Sequence, residues 1–279
     1  MSRESSRKAH DNSSGGDRQA VSAGEKPNPP ARPPRSSDPK AELEGFFHSP
    51  YCQDLKHQMC DIGRRLWQRG YVDGNGGNAA IRAGEDMALC TPTLVSKGFM
   101  KPEDLCLVDF EGRPLCGLTR PTSEILMHLQ LLKRQPKAVA SVHGHPPSAT
   151  GFAVAGLKPP TRMLPEYEVF VSLAMAPYRT PGTPEMGKLV ADLADKHNVI
   201  LMANHGVVAW SPISLEDAYF KLEILEAYCR TLLEAMQLGR PLQKFTPAQL
   251  QDLLKIKQKH GIPDPRHGLT ERELGDNDP

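Results

Sequence analysis

Apolar residues recur every three or four positions in several segments of the chain, a spacing that places them on one face of a helix. The spacing predicts helices over residues 55–70, from residue 124 onward, over 184–197 and over 215–237. Shorter apolar runs bounded by turn residues predict strands at residues 78–82, 88–92, 105–110, 138–145, 169–175 and 199–209. Helices that alternate with strands are typical of an α/β fold, and no internal repeat is apparent.

The two ends of the chain lack this pattern. Residues 1–40 are dominated by Ser, Gly, Pro, Arg, Lys and Asp and contain almost no large apolar side chain. Such a segment buries too little apolar surface to offset the entropy lost on ordering. The stretch from residue 263 onward is also rich in charge and proline. We therefore predict disordered tails at residues 1–40 and 263–279 around a single domain at residues 41–262.

Charge and cysteine usage exclude several classes of protein. Among 279 residues, Lys and Arg number 34 and Asp and Glu 33, so there is no overall field to attract nucleic acid or an anionic membrane. Six cysteines without Cys-x-x-Cys spacing are typical of reduced thiols in a cytoplasmic protein. No apolar stretch has the length of a membrane span or the form of a secretory signal. The expected partner is a small molecule.

Three histidines carry the most specific chemical signal. His143 and His145 flank a glycine on a predicted strand, where residues two apart point to the same side, and His205 follows about sixty residues later before another glycine. Three neutral imidazoles with a fourth position open are the ligand set of a catalytic zinc. A lone histidine is more often a satisfied polar residue at the end of a strand. The pair together with the third histidine favours the metal site.

Glu124 directly precedes the apolar helical spacing that begins at Ile125, so we expect it in the first turn of that helix. A carboxylate beside a divalent cation can remove a proton from the carbon next to a polarised carbonyl and later return it. The alternative is that Glu124 only complements the helix dipole. His128, four residues on, shares its helix face and is either a partner behind the metal site or a surface histidine.

These residues belong to a longer pattern that resembles the class II aldolase/adducin family, in particular its fuculose-phosphate aldolase branch. The pattern covers roughly residues 50–240 and comprises Gly77-Asn78, Thr91-Pro92-Thr93, Thr122-Ser123-Glu124, Val142-His143-Gly144-His145-Pro146 with Ala149-Thr150, and Asn204-His205-Gly206. The combination is far more specific than any one of its elements.

The resemblance implies a three-layer α/β/α domain with a mostly antiparallel central sheet. It implies that His143, His145 and His205 bind Zn²⁺ or another divalent metal, and that Glu124 is the acid and base of a reversible retro-aldol cleavage. The product of that cleavage would be dihydroxyacetone phosphate and an aldehyde. The resemblance also implies a homotetramer and a phosphate clamp made of Gly77, Asn78, Thr91, Thr93, Thr122 and Ser123. Hydroxyl, amide and free N–H groups at a helix N-terminus do form an anion site, although Thr122 or Ser123 could equally serve as an N-cap.

Two features depart from the family pattern. The glycine usual after the Thr-Pro-Thr segment is replaced by Leu94, and Lys97 in the same loop either adds a charge to the clamp or is a solvated loop residue. The family's acidic tyrosine has no clear equivalent, and Tyr167 is a candidate that could as well be a structural tyrosine.

Other functions stay open at this point. Ribulose-phosphate 4-epimerases share the histidines but carry Asp at the position of Glu124, and a methylthioribulose-phosphate dehydratase belongs to the same superfamily. A non-catalytic module like the adducin head lacks the metal histidines. The altered loop also leaves room for an unphosphorylated substrate.

Overall fold

The computed structural model describes residues 39–276, which form one eight-stranded sheet with helices on both faces. The sheet has the order β4-β3-β2-β1-β5-β8-β7-β6, and every neighbouring pair is antiparallel except β6 and β7. The strands are β1 (Asn78–Arg82), β2 (Met87–Cys90), β3 (Cys106–Asp109), β4 (Pro114–Cys116), β5 (Ala140–Gly144), β6 (Leu173–Ala176), β7 (Val199–Met202) and β8 (Gly206–Ser211). The predicted α/β class with a mostly antiparallel sheet is confirmed.

Side-chain caps fix the starts of several helices. Ser49, Thr183 and Ser214 each accept a hydrogen bond from the backbone N–H three residues later, which satisfies a donor that has no partner within the helix. The helices are α1 (Pro39–Phe47), α2 (Pro50–Gln68), α3 (Ile125–Arg134), α4 (Pro147–Ala155), α5 (Pro165–Phe170), α6 (Pro184–Leu193), α7 (Leu215–Gln237), α8 (Pro247–Lys259) and α9 (Glu271–Asp276). Within residues 39–276, no helix is both long and apolar enough to cross a membrane.

Each face of the sheet buries its own apolar cluster. On one face, Val142 and Val207 pack with Leu222 of α7 and with residues of α2 and α4. On the other face, Val208 packs with Leu129 of α3 and Val190 of α6. Side chains alternate between the two clusters along β8 because successive residues of a strand point to opposite faces. The predicted three-layer α/β/α arrangement is confirmed.

The predicted single strand over residues 199–209 is wrong in one respect. The chain forms two antiparallel strands, β7 and β8, and reverses at residues 203–205. Asn204 makes this reversal possible because it adopts the left-handed conformation with φ of +56°, which asparagine tolerates better than most residues. His205 therefore lies in a tight turn rather than inside a strand.

The predicted strand over residues 169–175 is also only partly correct, because α5 continues to Phe170 and β6 begins at Leu173. Pro165, the first residue of this helix, already has the backbone dihedral that a helix requires.

The predicted disordered tail at 263–279 is wrong for residues 263–276. Asp264 is buried, and α9 packs Leu274 against Leu250 and Leu254 of α8. Asp264 and Arg266 of this segment form ion pairs with Lys257 and Glu168, which composition alone does not reveal. At the other end, α1 already begins at Pro39. Residues 1–38 and 277–279 of the two predicted tails lie outside the described residues.

Candidate metal centre and active site

The three histidines converge where β5 ends and the β7–β8 turn begins. His143 lies in β5 and is fully buried, and His145 follows directly after the strand. The ring centroids of His143 and His145 are 4.9 Å apart, and His205 lies 4.7 Å from the first ring and 5.5 Å from the second. Each histidine offers one nitrogen such that the three nitrogens lie within 4.8 Å of one another. The antiparallel pairing of β5 with β8 brings His205 to this position.

Hydrogen bonding fixes which nitrogen of His143 faces the centre. Its Nδ1 is 2.9 Å from the carbonyl oxygen of Val207. A carbonyl can only accept, so Nδ1 carries the proton and Nε2 presents its lone pair. This Nε2 is 3.1 Å from Nε2 of His145. Two imidazole nitrogens on one tetrahedral zinc would be about 3.3 Å apart, given Zn–N bonds of about 2.0 Å.

The residues present fit a divalent metal for two further reasons. His205 Nδ1 and Glu124 Oε1 are buried and have no hydrogen-bond partner among the described residues, whereas buried polar atoms are normally satisfied. Burial and then the neighbouring imidazoles lower the pKa of His143 well below its ordinary value. Burial likewise lowers the pKa of His205. Neutral imidazoles are the form that binds a metal.

Gly206 permits the close approach of the histidines. A Cβ at this position would lie 2.5 Å from the carbonyl oxygen of Gly144, 2.7 Å from Cδ2 of His145 and 3.3 Å from Cε1 of His143. Any side chain here would push the hairpin away from β5. The sequence pattern includes Gly206, but its steric role depends on a strand pairing that the pattern does not reveal.

Glu124 lies at the N-cap position of α3, one residue before the predicted first turn. Its Oε2 is 3.4 Å from Nε2 of His143, and its Oε1 is 3.4 Å from Nε2 of His205. The residue is 8% exposed, so it is shielded from bulk water while its carboxylate faces the imidazoles. This geometry places a carboxylate, a group that can act as a base, next to two of the three imidazoles.

A chain of hydrogen bonds behind Glu124 holds its carboxylate. Asn78 Nδ2 donates to Glu124 Oε2 at 2.7 Å, and Asn78 Oδ1 accepts from Nε2 of His128 at 2.6 Å. Since Nε2 of His128 donates, Nδ1 accepts, and its partner at 2.6 Å is the hydroxyl of Ser141. Burial lowers the pKa of His128 to about 4, so the ring is neutral. His128 is thus a buried partner behind the site, and the surface alternative is wrong.

The segments predicted to clamp a phosphate meet beside Glu124. Thr122 N–H donates to the carbonyl of Thr91, Thr93 N–H donates to the carbonyl of Arg120, and Pro92 and Pro121 form an isolated bridge. Gly77 has φ of +71°, and a Cβ there would lie 2.3 Å from Val72 and 3.0 Å from the carbonyl of His143.

The members of this set differ in what they offer a ligand. Thr93 is half-buried and Ser123 is exposed, so both can reach an incoming group. The Thr91 hydroxyl accepts from Ala79 N–H, and the Thr122 hydroxyl accepts from Glu124 N–H. Asn78 has both side-chain functions engaged by Glu124 and His128, so its observed role is to position Glu124.

Lys97 is neither solvated nor aimed at a clamp hydroxyl. It is 2% exposed, and its Nζ donates to the carbonyl oxygens of Val95 at 2.5 Å and Asn75 at 3.2 Å. Burial lowers its pKa to about 8. Lys97 therefore ties the loop before β1 to the loop that follows Thr93, and the expectation of a solvated residue is wrong.

Tyr167 has a structural environment. It is 2% exposed and stacks on Tyr228 with centroids 3.9 Å apart and planes at 9°. Burial raises its pKa well above the ordinary value. The interpretation as a structural tyrosine fits these contacts, and no acidic tyrosine is assigned.

Comparisons with known proteins agree with this architecture. The family model "Class II Aldolase and Adducin N-terminal domain" matches residues 57–233. The L-fuculose phosphate aldolase of Methanococcus vannielii is 34% identical over 174 residues, which are 62% of this chain and 92% of that protein. The 3-oxo-tetronate 4-phosphate decarboxylase of Haemophilus influenzae is 32% identical over 203 residues, which are 71% of this chain and 95% of that protein.

Solved structures show the same fold. YgbL of Klebsiella pneumoniae superposes with a TM-score of 0.66 at 29% identity, covering 72% of this chain and 98% of YgbL. An L-fuculose 1-phosphate aldolase superposes with a TM-score of 0.65 at 23% identity over 75% of this chain and 97% of that protein, a likeness of fold. The chain therefore belongs to the class II aldolase and adducin N-terminal domain family.

Proposed function

We propose that the protein is a metal-dependent aldolase that cleaves a ketose phosphate reversibly to dihydroxyacetone phosphate and an aldehyde. The observation that carries the proposal is the convergence of three imidazoles with the carboxylate of Glu124, which lies 3.4 Å from two of them. This arrangement combines metal ligands with a shielded base, as cleavage next to a ketone requires. The chain belongs to a family whose members include lyases, and this membership supports a lyase activity for the protein.

His143, His145 and His205 would hold the metal, and Zn²⁺ suits three neutral imidazoles with one position left open. When bound, the metal acts as a Lewis acid that polarises the ketone of the substrate. The Nδ1–H bond of His143 to Val207 orients one ligand through the backbone of β8. Orientation of this kind keeps the imidazole in the correct tautomer before the metal arrives.

Glu124 would move the proton. In the cleavage direction it would take the proton of the hydroxyl on the β carbon of the ketone, so that this carbon leaves as the aldehyde when the bond between the α and β carbons breaks. The electron pair of that bond stays on the α carbon as an enediolate, and return of the proton from Glu124 to this carbon gives dihydroxyacetone phosphate. In the synthetic direction the same carboxylate removes that proton. Asn78 and His128 hold the carboxylate in place through the 2.7 Å and 2.6 Å hydrogen bonds, which leave Oε1 without a hydrogen-bond partner among the described residues and available for the proton.

The phosphate clamp is part of the proposal. Gly77, Thr91, Thr93, Thr122 and Ser123 lie on three segments joined by backbone hydrogen bonds beside Glu124. Ser123 and Thr93 would supply hydroxyl groups, and the backbone before α3 would supply N–H groups that favour an anion.

A second candidate is the decarboxylation of a 3-oxo sugar-acid phosphate. The relatives named 3-oxo-tetronate 4-phosphate decarboxylase are 30–32% identical to this chain over 71–72% of its length. Loss of CO₂ from 3-oxo-tetronate 4-phosphate leaves the electron pair on the carbon next to the ketone. The resulting enediolate is the one formed by the aldolase, and its protonation also gives dihydroxyacetone phosphate. Glu124 would therefore protonate the same enediolate in both reactions, which differ in the leaving group.

The first experiment follows deuterium exchange from solvent into the hydroxymethyl group of dihydroxyacetone phosphate by proton NMR, with zinc-loaded enzyme. We expect exchange in the wild type and a decrease of about 10²–10⁴-fold in Glu124→Gln, which loses the base and keeps the ligands. Glu185→Gln is the matched control because Glu185 is an exposed glutamate in the first turn of α6. Wild-type exchange in Glu124→Gln with zinc bound would contradict the assignment of the base.

A second experiment separates the two leaving groups. The enzyme is supplied either with dihydroxyacetone phosphate and a short hydroxyaldehyde, or with 3-oxo-tetronate 4-phosphate. Formation of a ketose phosphate in the first mixture supports the aldolase, and release of CO₂ in the second supports the decarboxylase. Absence of both, with exchange intact, would point to the epimerase or dehydratase chemistry of the same superfamily.

The proposal includes a homotetramer in the cytoplasm. The six cysteines are all free and buried, as is typical of a reducing compartment. Light scattering on the full chain tests the tetramer directly.

A further inference from the structure

A cavity lies at the edge of the sheet where β6 and β7 begin, whereas His205 lies at the edge where β7 ends. It has a volume of about 300 Å³ and is lined by Ser172 and Leu173 at the start of β6 and by His197 just before β7. His205 follows the other end of β7, after Met202. Because β6 and β7 are parallel, their first residues share one edge of the sheet, and the length of β7 separates the cavity from the metal centre. The cavity is thus independent of the site described above.

The C-terminal segment after α8 builds one wall of this cavity. Its lining includes Asp264, Pro265, Arg266 and Leu269, which lie beyond residues 57–233 that the family model matches. Lys257 Nζ donates to Asp264 at 2.6 Å, and Arg266 pairs with Asp264 at 2.8 Å and with Glu168 at 2.9 Å. This network, here called the C-terminal ion network, fixes the guanidinium of Arg266 at the cavity.

The charges around the cavity do not cancel. The C-terminal ion network contains two cations and two carboxylates, and its ion pairs leave out Lys158, which lines the same cavity. Burial of the ammonium, and then the charge of Arg266, lower the pKa of Lys158, although the residue as a whole remains exposed. With Lys158 included, three cations stand against two carboxylates, so one positive charge is in excess around the cavity.

Arg266 also retains hydrogen-bonding capacity. Among the described residues its bonds to Asp264 and Glu168 use the Nε, one Nη1 and one Nη2 donor, three of the roughly five N–H groups that a guanidinium carries. Its side chain is 23% exposed. Ser172 and His197, whose hydroxyl and Nδ1 are 3.1 Å apart, add neutral polar groups. Burial, with the charge of Lys158 next, lowers the pKa of His197 to about 4, so this ring brings no charge.

We propose that this cavity binds a small anion with a phosphate or carboxylate group, held by Lys158 and the guanidinium of Arg266. Arginine and lysine together suit an oxyanion because one presents a planar fork and the other a point charge. Leu173, Val171 and Leu269 would contact the apolar part of the ligand. A volume of about 300 Å³ is at the small end of the range for ligand sites, which favours a compact metabolite.

The test uses the full chain with its methyl groups labelled for NMR. Inorganic phosphate, or malonate as a carboxylate probe, is titrated at constant ionic strength maintained with chloride. The methyl groups of Val171, Leu173 and Leu269 report on the cavity, and those of Val72, which contacts Gly77, report on the proposed clamp. We expect the cavity methyl signals to shift and saturate with at least one of the two anions, independently of Val72.

Lys158→Glu should weaken that saturation by about tenfold or more, since it replaces an attracting charge with a repelling one. Lys137→Glu makes the same charge change at an exposed lysine that does not line the cavity, and it should bind like the wild type. Saturation by phosphate alone or by malonate alone identifies the anion class and supports the site. Cavity signals that move with neither anion, or that saturate equally in Lys158→Glu, would overturn the proposal.

Discussion

The metal centre and the C-terminal ion network are both built from buried ionisable side chains, yet they differ in whether the fold satisfies them. At the metal centre, Glu124 Oε1 and His205 Nδ1 have no hydrogen-bond partner among the described residues. In the network, Lys257, Asp264 and Arg266 each meet an opposite charge within 2.8 Å. An unsatisfied buried polar atom is costly, so the first region is suited to a ligand from outside, whereas the buried charges of the second are paired within the fold.

Removal of one of the three histidines should have the largest effect on the metal centre. We expect His143→Ala to lose bound zinc and to lower turnover about 10³-fold, since two imidazoles hold a catalytic metal poorly. Metal content of the full chain is measured by mass spectrometry after equilibration with zinc. His57→Ala, at an exposed histidine, should retain full metal content. Unchanged zinc in His143→Ala would reject the ligand assignment.

A substitution in the C-terminal ion network should lower the free energy of unfolding and leave the metal content unchanged. Asp264→Asn leaves Lys257, which is fully buried, facing Arg266 without a full compensating charge. Burial by itself raises the pKa of Asp264, but Arg266 and Lys257 hold it well below the ordinary value, so the ionised form is the stabilising one. We expect the free energy of unfolding in urea to fall by about 3 kcal/mol, with zinc content unchanged.

The matched control for this change is Asp252→Asn, because Asp252 pairs with Lys255 at an exposed position. Exposed ion pairs contribute about 0–1 kcal/mol, so this variant should differ little from the wild type. A similar loss in both variants would show that burial of the network does not determine its contribution.

The metal centre and the C-terminal ion network also differ in how far the sequence could predict them. The cluster of three histidines could be predicted because His143 and His145 are two residues apart on a strand and His205 stands in a short motif. The ion network could not be predicted, because Glu168 and Arg266 are 98 residues apart and nothing in their spacing indicates a contact. A segment rich in charge and proline was accordingly predicted to be disordered, although its charges have buried partners.

Similar limits apply near the metal centre. The apolar run over residues 199–209 contains no period that separates one strand from two, and the turn depends on the left-handed conformation of Asn204. The family resemblance also implied a phosphate role for Asn78. Its bonds to Glu124 and His128 arise from the packing of α3 against β1, which no local pattern specifies.

A smaller effect on the metal centre is expected from Gly206, the glycine that follows the turn and begins β8. In Gly206→Ala the new Cβ would meet the carbonyl oxygen of Gly144 at 2.5 Å, so β8 must shift relative to β5 and the ligands must move apart. We expect zinc affinity to fall about 10–100-fold, a size typical of changes behind a metal site. A zinc titration against a chelating dye measures this.

Gly151→Ala is the control for that variant, because a Cβ at Gly151 in α4 meets no atom within 4 Å. It should bind zinc like the wild type and be equal or higher in stability, since alanine favours a helix more than glycine does. Wild-type affinity in Gly206→Ala would show that the hairpin adapts without moving the ligands.

The smallest effect concerns the hydrogen bonds behind Glu124 and appears as a pH dependence. His128 has a pKa of about 4 in the folded protein because it is buried, against about 6.5 in the unfolded chain. Between these pH values the unfolded chain binds a proton that the folded protein does not, so the free energy of unfolding falls as pH falls. We expect His128 to contribute a slope of about 1.4 kcal/mol per pH unit below pH 6.5.

His128→Gln should remove that slope, because glutamine does not titrate. Urea unfolding of the wild type and the variant from pH 7 to pH 5 isolates the contribution of His128, since the other buried histidines are present in both. His57→Gln, at an exposed position, should keep the wild-type slope. If His128→Gln keeps it too, the ring is not held neutral. Nδ1 would then be a donor to Ser141, and the hydrogen bonds that orient Glu124 would need to be reassigned.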